Sequence, residues 1–531
     1  MADTQVSIIG SGPIGLSVAL LLAKFDIRSV ILEKRGEVNT HPRSRFVDTN
    51  TMELMRHLGV EKAIEDTGLG PDWTACNRWQ TAMCGDPIAT ISSPTFHTVP
   101  RDNSPTMPVM TCQDYVENVL LEQVHASALI DIRYLSEVTE VTQSAQGTLT
   151  GVTNLATGES YMLAADYLIG ADGPHSFARH AIGSVLEADP RPYLMQDVIF
   201  EADLSAYVGD RKGGLLYSLT TEGVLIFQPL NGITRWRCQI PRMDGRKLDE
   251  QETIAMIRLA AGAQDTPPIT LVSTGMWQPT PGCVDVLSRG RIFLAGDAAH
   301  VSVPTGGMGN NIGFAGARNL AWKMAYVLKG LAPADVLDTY HVEHRPLALE
   351  RIDVGVKTTN YMAGIFTAHY SGGDPAEAAA ATQQYGDYDG ALLGYELQSV
   401  LIAPEHSPPP ALADPTREYV NCVRNGRRAP HVWMDAEQQH SVLDFFGLDY
   451  VMLLGEDVAD QPWTQVVSKL AAETGFPISC VRLPQAAPYS ATQIVLVRPD
   501  GIIADSWESV DTDEERATER LCNVLPLLSN S

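Results

Sequence analysis

Four glycines, Gly306, Gly307, Gly309 and Gly313, stand within eight residues of the stretch "PTGGMGNNIGFAG", after Pro304 and before a helical pattern. Such a stretch gives up side-chain packing and loses backbone entropy. Its use lies in backbone that comes very close to something flat, with a helix N-terminus aimed at it. A second glycine group, Gly10-Ser11-Gly12-Pro13-Ile14-Gly15, follows a short apolar run and opens another helical pattern. There Gly10 permits a tight turn, Gly12 lets backbone approach a pyrophosphate, and Gly15 allows helix to pack closely on strand. Glu33, with Lys34 beside it, ends the next strand pattern, where a carboxylate can accept from ribose hydroxyls. Together these features read as a dinucleotide site.

Two more strand ends carry chemistry. "YLIGADGPHSFARHAIG" ends a strand in Asp172-Gly173, with Ser176 and Arg179 following at helical spacing. Alone, that is any strand–turn–helix corner with a capping Ser or Asp. "RIFLAGDAAH" ends a strand in Gly296-Asp297 just ahead of the glycine loop.

The elements that must position these residues are legible in outline. Residues up to about 35 read strand–helix–strand, "VSIIG", "SGPIGLSVALLLAKFDI" and "SVILEKR". From about Asp189 to Met276, strand-like runs separated by turns predict an antiparallel sheet. Helical pattern covers Gly313–Gly330, Pro333 to about Ala363, and the short Ala-rich run Ala376–Thr382. The proline-rich segment Ala403–Thr416 reads as a linker, and beyond it strand and helix alternate in a small α/β unit. The expected organisation is therefore 1–188 and 277–402 for a dinucleotide domain in two parts, with segments around 75–110 lent to the intervening sheet 189–276. The linker 403–416 and a final unit 417–531 complete it.

With 531 residues, 44% apolar and 19% charged, the chain has material for several packed cores. A formal charge of −26 argues against nucleic acid or an anionic membrane as partner. The eight cysteines are scattered without a C-x-x-C pair, which is neither a zinc spacing nor a redox dithiol, and no metal site is expected. The opening "MADTQVSIIGSG" enters a strand without a basic n-region, and the apolar run "LSVALLLAKF" is far short of a bilayer span. A cytoplasmic, reduced protein is expected.

In this order, the three motifs resemble the flavoprotein aromatic hydroxylases, the single-component FAD monooxygenases of the para-hydroxybenzoate and phenol hydroxylase type. The resemblance implies a Rossmann-like FAD domain with an inserted, mainly antiparallel substrate domain. It also implies FAD on Gly10, Gly12, Pro13, Gly15, Glu33 and Lys34, with Asp297 holding the ribityl chain and Asp172 near both FAD and NAD(P)H. "HPRSRFVDTNTMELMRHLGV" places Arg43 near the FAD, and "TCQDYVENVLLEQV" places Gln113 on its ribityl or phosphate side. The loop Pro304–Gly313, with Gly307, Gly309, Asn310 and Asn311, would pass along the flavin ring, whose reduced form is an anion that a helix N-terminus stabilises. One departure stands out. The family usually has an acidic residue before the Ala of its "DAxNLxWK" run, and here that place is Gly316.

The activity implied is hydroxylation of a phenolic or polycyclic aromatic by NADPH or NADH and O2, through a flavin C4a-hydroperoxide. A Baeyer–Villiger outcome and an idle flavin-retaining binding protein are the alternatives. The single G-x-G-x-x-G fits a nicotinamide that binds only transiently. Arg45 falls where relatives carry a polar group facing substrate and flavin, and a plain salt-bridge role is its alternative. Tyr217, Phe227, Arg235 and Trp236 are the candidates to line the pocket, although alternation sends Arg235 and Trp236 to opposite faces. Of these Arg45, Tyr217 and Arg235 are taken as catalytic candidates together with Pro304, while His300 reads as structural. "NGRRAPHVWM" and "VLVRPDGIIADSW" resemble the thioredoxin-like domain of the longer members, here with only Cys480 and no dithiol, which points to a structural or homodimer-related role.

Overall fold

In the computed structural model the described residues are 2–526, apart from 39, 40, 42, 43, 94–101, 263–266, 383–387, 462, 485, 486 and 509–513. Strand Thr4–Ile9 is buried at every position but Gln5 because both its faces are covered, as in a central parallel strand. It pairs in parallel with Ser29–Leu32 on one side and Ser160–Gly170 on the other. Ser160–Gly170 in turn pairs in parallel with Ile292–Leu294. Registers Ile9↔Leu32, Ile9↔Gly170 and Gly170↔Leu294 bring four strand ends level with one another. Parallel strands all finish on the same edge, so Gly10, Glu33, Asp172 and Asp297 gather there although the chain separates them widely. That edge is where open α/β sheets bind ligands.

The inserted sheet has seven strands, in the order Thr270–Trp277, Leu194–Glu201, Arg235–Arg242, Gly223–Pro229, Leu216–Thr220, Cys76–Gln80 and Pro87–Ser92. The early strands Cys76–Gln80 and Pro87–Ser92 join it through one parallel pair in an otherwise antiparallel sheet. Helix Glu250–Ala261 starts with a capping box between Asp249 and Glu252 and covers one face. That face carries Val198, Phe200, Leu216, Phe227, Trp236 and Ile240.

Two long helices tie the layers together. Met308–Leu328 begins at Gly307 and packs its Gly313 against Ile14 and Gly296. Thr339–Ser371 runs from the seam with the C-terminal unit to the uncovered face of the seven-stranded sheet. The C-terminal unit is β-α-β-β-β-α, with strand order Ile478–Arg482, Tyr450–Leu454, Gln493–Val497, Ile503–Glu508. Its core is continuous with that of the parallel sheet: Trp322 and Tyr326 meet Tyr450 and Phe476 in edge or tilted contacts. Among the described residues no helix is long and apolar enough to cross a membrane.

Candidate active site

The first glycine turn is built for two tasks. Gly10 has φ +101°, and a Cβ there would lie 2.5 Å from the Ala171 carbonyl oxygen. A Cβ on Gly15 would lie 2.0 Å from the Gly10 carbonyl oxygen, so this glycine is what lets helix Pro13–Lys24 seat on the strand. Gly12 differs: among the described residues nothing lies within 4 Å of where its Cβ would stand. It caps the helix without any side-chain hydrogen bond, and Pro13 removes one N–H that would otherwise be unpaired. The helix thus presents bare N–H groups to open space, which suits a pyrophosphate. Glu33 closes the turn. One of its oxygens accepts from the Ser11 amide and hydroxyl at 2.9 and 3.0 Å, and the other from the Arg35 amide at 2.8 Å. Lys34 is exposed beside it.

At the next strand end, Asp172 accepts from the amides of Phe177 and Ala178 through one oxygen, while its other oxygen is buried without a partner. Arg179 reaches from that corner to the Ala298 and Pro174 carbonyls, clamping it to the Gly296-Asp297 turn. Gly296 takes φ +60°, and Asp297 is half-buried in the single helical turn Gly296–Ala298. His300 is fully buried, and burial lowers its pKa to about 4, so it is neutral at physiological pH and serves structure. Its Nε2 lies 3.4 Å from His344 Nε2. The missing acid at Gly316 has a physical counterpart here. A Cβ on Gly316 would stand 2.5 Å from His344 Nε2, so the imidazole fills the space a side chain would need.

The glycine loop offers backbone rather than side chains. Gly306 and Gly307 have φ of +79° and +63°, helix Met308–Leu328 has no side-chain cap and no acid in its first turn, and Pro304 is exposed. Gly309 and Asn310 are half-exposed. The side chain of Asn311 is taken up by protein. Its oxygen accepts from the Asp48 amide and the Thr51 hydroxyl, and its nitrogen donates to the Phe46 and Gly307 carbonyls. An amide has two acceptor and two donor positions, so protein saturates this one, and Asn311 bolts the loop to helix Thr49–Leu58.

Gln113 accepts from the Ser44 amide at 3.2 Å and donates to Glu117 at 2.7 Å. Glu117, which sequence reading missed, is buried, and burial raises its carboxyl to about pKa 7 against the lowering effect of Gln113. The i, i+4 spacing of Gln113 and Glu117 on one helix was the available signal. Arg43 lies outside the described residues.

The sheet face opposite the covering helix is polar at its centre. Arg45 donates to Gln228 Oε1 at 2.9 Å and to the Pro229 and Gly214 carbonyls at 2.7 Å each, and burial lowers its pKa to about 10, which leaves it charged. Gln228 passes the chain on to Gln239 at 2.9 Å. Beside them Arg237 forks onto Asp197, and His41 reaches Asp197 and Ser273, a constellation the sequence did not disclose. Tyr217 shares this face. It stacks on Trp79 at 4.5 Å with an interplanar angle of 7°, and its hydroxyl sits 3.5 Å from Met362 Sδ. Burial raises the Tyr217 pKa well above the usual range, so the phenol stays protonated. Phe227 and Trp236 do not join this wall. Register pairs Tyr217 with Ile226, which turns Phe227 to the covered face, and Trp236 sits there too, donating to the Ala202 carbonyl. Arg235 lies on the polar side of the alternation, at the far end of its strand, paired with Asp114 at 2.7 Å and set over the Tyr115 ring.

A strand-edge site with bare helix N-termini, the Glu33 carboxylate and a glycine loop is thus in place, with the stacked Trp79 and Tyr217 on the inserted sheet. Comparison with known families decides its kind. Residues 3–354 match the model of the FAD binding domain, and residues 423–525 match that of the aromatic-ring hydroxylase C-terminal domain. The chain belongs to the FAD-dependent aromatic-ring hydroxylases. Aklavinone 12-hydroxylase RdmE of Streptomyces purpurascens is 30% identical across 97% of this chain and 96% of its own length. 4-methyl-5-nitrocatechol 5-monooxygenase of a Burkholderia species is 28% identical, covering 97% of this chain and 95% of its own length. Among solved structures, aklavinone-11 hydroxylase in a ternary complex with FAD and aklavinone superposes with a TM-score of 0.85 at 27% identity, covering 99% and 98% of the two chains. The flavin-dependent monooxygenase PieE with FAD and substrate gives a TM-score of 0.88 at 25% identity, covering 99% of this chain and 98% of that one. The protein is a flavoprotein monooxygenase that binds FAD.

Proposed function

We propose that the protein hydroxylates a phenolic or polycyclic aromatic substrate with NAD(P)H and O2. The observation that carries this reading is the placement of the aromatic wall. Gly355 of helix Thr339–Ser371 lies against Val303 and the Thr305 carbonyl of the glycine loop, and Met362 of the same helix meets Tyr217. Seven residues of helix separate the two contacts, about 10 Å. A flat ligand between loop and wall would have one face to each. When bound, FAD supplies the redox and oxygen-transfer chemistry.

The chain's own residues supply binding, orientation and proton handling. The Gly10–Gly15 turn holds the pyrophosphate, Glu33 the ribose, and Asp297 and Gln113 the ribityl side. The amides of Gly307, Gly309 and Asn310 would serve the flavin ring, and Asp172 would take part in meeting FAD and the nicotinamide. Tyr217, a protonated donor, orients a substrate oxygen, and Trp79 keeps its ring in place. Arg45 acts without direct contact, its buried positive charge favouring an anionic oxygen nearby. Arg235 borders the cleft through Asp114. We take 1–188 with 277–402 as the cofactor domain, 189–276 as the substrate sheet and 417–531, after the linker 403–416, as the C-terminal domain. A thioredoxin-like reading of the last is supported by its β-α-β-β-β-α order, and a homodimer in the cytoplasm completes the picture.

Anaerobic reduction of the bound flavin by NADPH or NADH tests the reading, with simple phenols, hydroxybenzoates and polycyclic phenols added in turn. One aromatic class should accelerate reduction by orders of magnitude, and hydroxylated product should follow on admitting O2. Reduction equally fast with no aromatic present would remove the proposed substrate from the reaction.

A further inference from the structure

Deep in the seam between the parallel-sheet domain and the C-terminal unit lies a closed cluster of charge. Lys323 and Glu343 are wholly buried, as is Arg498, and Asp500 is 6% exposed. Arg498 forks onto Glu343 with bonds of 2.7 and 2.9 Å, and its Nε donates to Asp500 at 3.1 Å. Lys323 donates to Glu343 at 2.8 Å and to the Asn319 side chain at 2.9 Å. Asn319 and Ser399 also donate to Glu343, Trp322 donates to Asp500 at 3.1 Å, and Arg498 lies over the Trp322 ring. Two cations face two carboxylates, so the cluster is neutral. Burial pushes Glu343 towards the neutral form, but Arg498 and Lys323 outweigh it and hold the carboxyl well below its usual range.

Buried ion clusters add little stability over a well-packed apolar core; their best-attested use is to fix one arrangement among many. The elements fixed here are telling. Asn319, Trp322 and Lys323 all belong to helix Met308–Leu328, whose first turn is the cofactor side of the glycine loop. Glu343 belongs to the helix that carries Gly355 and Met362. Arg498 and Asp500 come from the C-terminal unit, from the turn after strand Gln493–Val497. Arg318, on the turn of helix beside Asn319, lies against Gly501 in that same turn. A second tie is independent of the first. Arg428 of the C-terminal unit pairs with Glu53 of helix Thr49–Leu58 in a buried contact and donates to the Asn103 carbonyl. Asn311 bolts that helix to the glycine loop.

We propose that Arg498 and Asp500 are positioning residues for the flavin site, and that the C-terminal unit sets the seat of the glycine loop by gripping the two helices that frame it. This rests on the FAD reading of the cleft. The role accounts for an α/β unit that carries no dithiol yet is joined to the cofactor domain by charge as well as by apolar packing.

The test compares Arg498→Met with Val495→Ala, a core substitution in the same unit that does not touch the cluster. Three quantities are measured: melting temperature, dissociation constant for FAD by fluorescence titration, and amide exchange of peptides spanning 302–315 in the apoprotein. Arg498→Met should weaken FAD at least tenfold and speed exchange in that loop several-fold. Val495→Ala should lower the melting temperature while leaving both nearly unchanged, and Arg498→Lys should recover part of the affinity. Should Arg498→Met fail to fold, Asp500→Asn, which keeps shape and loses charge, takes its place in the same comparison. Equal FAD loss per degree of melting temperature in the two variants overturns the proposal, as does unchanged loop exchange in Arg498→Met. If wild-type apoprotein takes up no FAD at all, it is the cofactor reading that fails.

Discussion

Two buried glutamates show how differently the cofactor cleft and the domain seam are built. Glu343, in the seam, meets Arg498 and Lys323 and is held ionised. Glu117, beside the cleft, accepts from the Gln113 amide and meets no paired cation among the described residues, and burial raises its pKa to about 7. The same contrast runs along helix Met308–Leu328. Its first turn has no side-chain cap and leaves Gly309 and Asn310 half-exposed, and its fourth and fifth turns are saturated with paired side chains. Surface kept for a ligand leaves polar groups unanswered, whereas surface that joins domains answers nearly all of them.

The comparison can be broken at its strongest point first. Glu343→Leu strands two buried cations, and the expected loss is about 3–5 kcal/mol of stability. Thermal and denaturant unfolding would show it, and a loss below ~1 kcal/mol would mean that water already reaches the seam. Glu117→Gln should act oppositely and with pH. A carboxyl raised in the folded state binds its proton more tightly there than when unfolded, so its contribution falls as pH rises from about 4.5 to about 7. Removing the charge should therefore stabilise the apoprotein at pH 7.5 by up to about 3 kcal/mol and do almost nothing at pH 4.5. Glu343 carries the reverse slope, keeping its contribution above the usual carboxylate range and losing it only in acid below that range. Melting curves of the apoprotein across pH 4–8 would separate the two glutamates.

A smaller effect probes the bare end of the contrast. Gly12→Ala adds a methyl where the protein leaves open space, so the melting temperature of the apoprotein should hold within about 1 °C. FAD should nevertheless bind about tenfold more weakly, near 1.4 kcal/mol, because the methyl stands where the pyrophosphate comes close. Unchanged affinity would move the pyrophosphate away from this turn. Smallest of all, Tyr217→Phe removes one weak contact to sulfur, and stability should shift by under ~0.5 kcal/mol. Affinity for a phenolic ligand, read from perturbation of the flavin spectrum, should still fall severalfold if the hydroxyl orients the substrate.

Much of the cleft was legible in the sequence because its signals are local. Gly10–Gly15, Asp172-Gly173 and Gly296-Asp297 each announce a strand end within a few residues, and parallel pairing then brings them together. Register carries the information that spacing lacks. Phe227 and Tyr217 look equivalent as aromatic strand residues, and only the pairing of Tyr217 with Ile226 sends them to opposite faces. Asn311 fits a ligand pattern by position, yet its partner Asp48 lies 263 residues away and nothing local reveals it. The grip of Arg498 on Glu343 spans 155 residues, and a buried arginine in a strand-end turn reads as an ordinary surface charge until the fold closes over it.

Helix Thr339–Ser371 works as a ruler. Glu343, Gly355 and Met362 are graduations along one helix about 50 Å long, set at the seam, the glycine loop and the aromatic wall. Inserting one residue between any two of them would advance the rest by about 1.5 Å and swing them through about 100°. Point changes along its outer side can accumulate freely, but its length between these marks cannot drift. Lineages of this protein should therefore gain and lose residues in their turns while keeping the distance from Glu343 to Met362 constant.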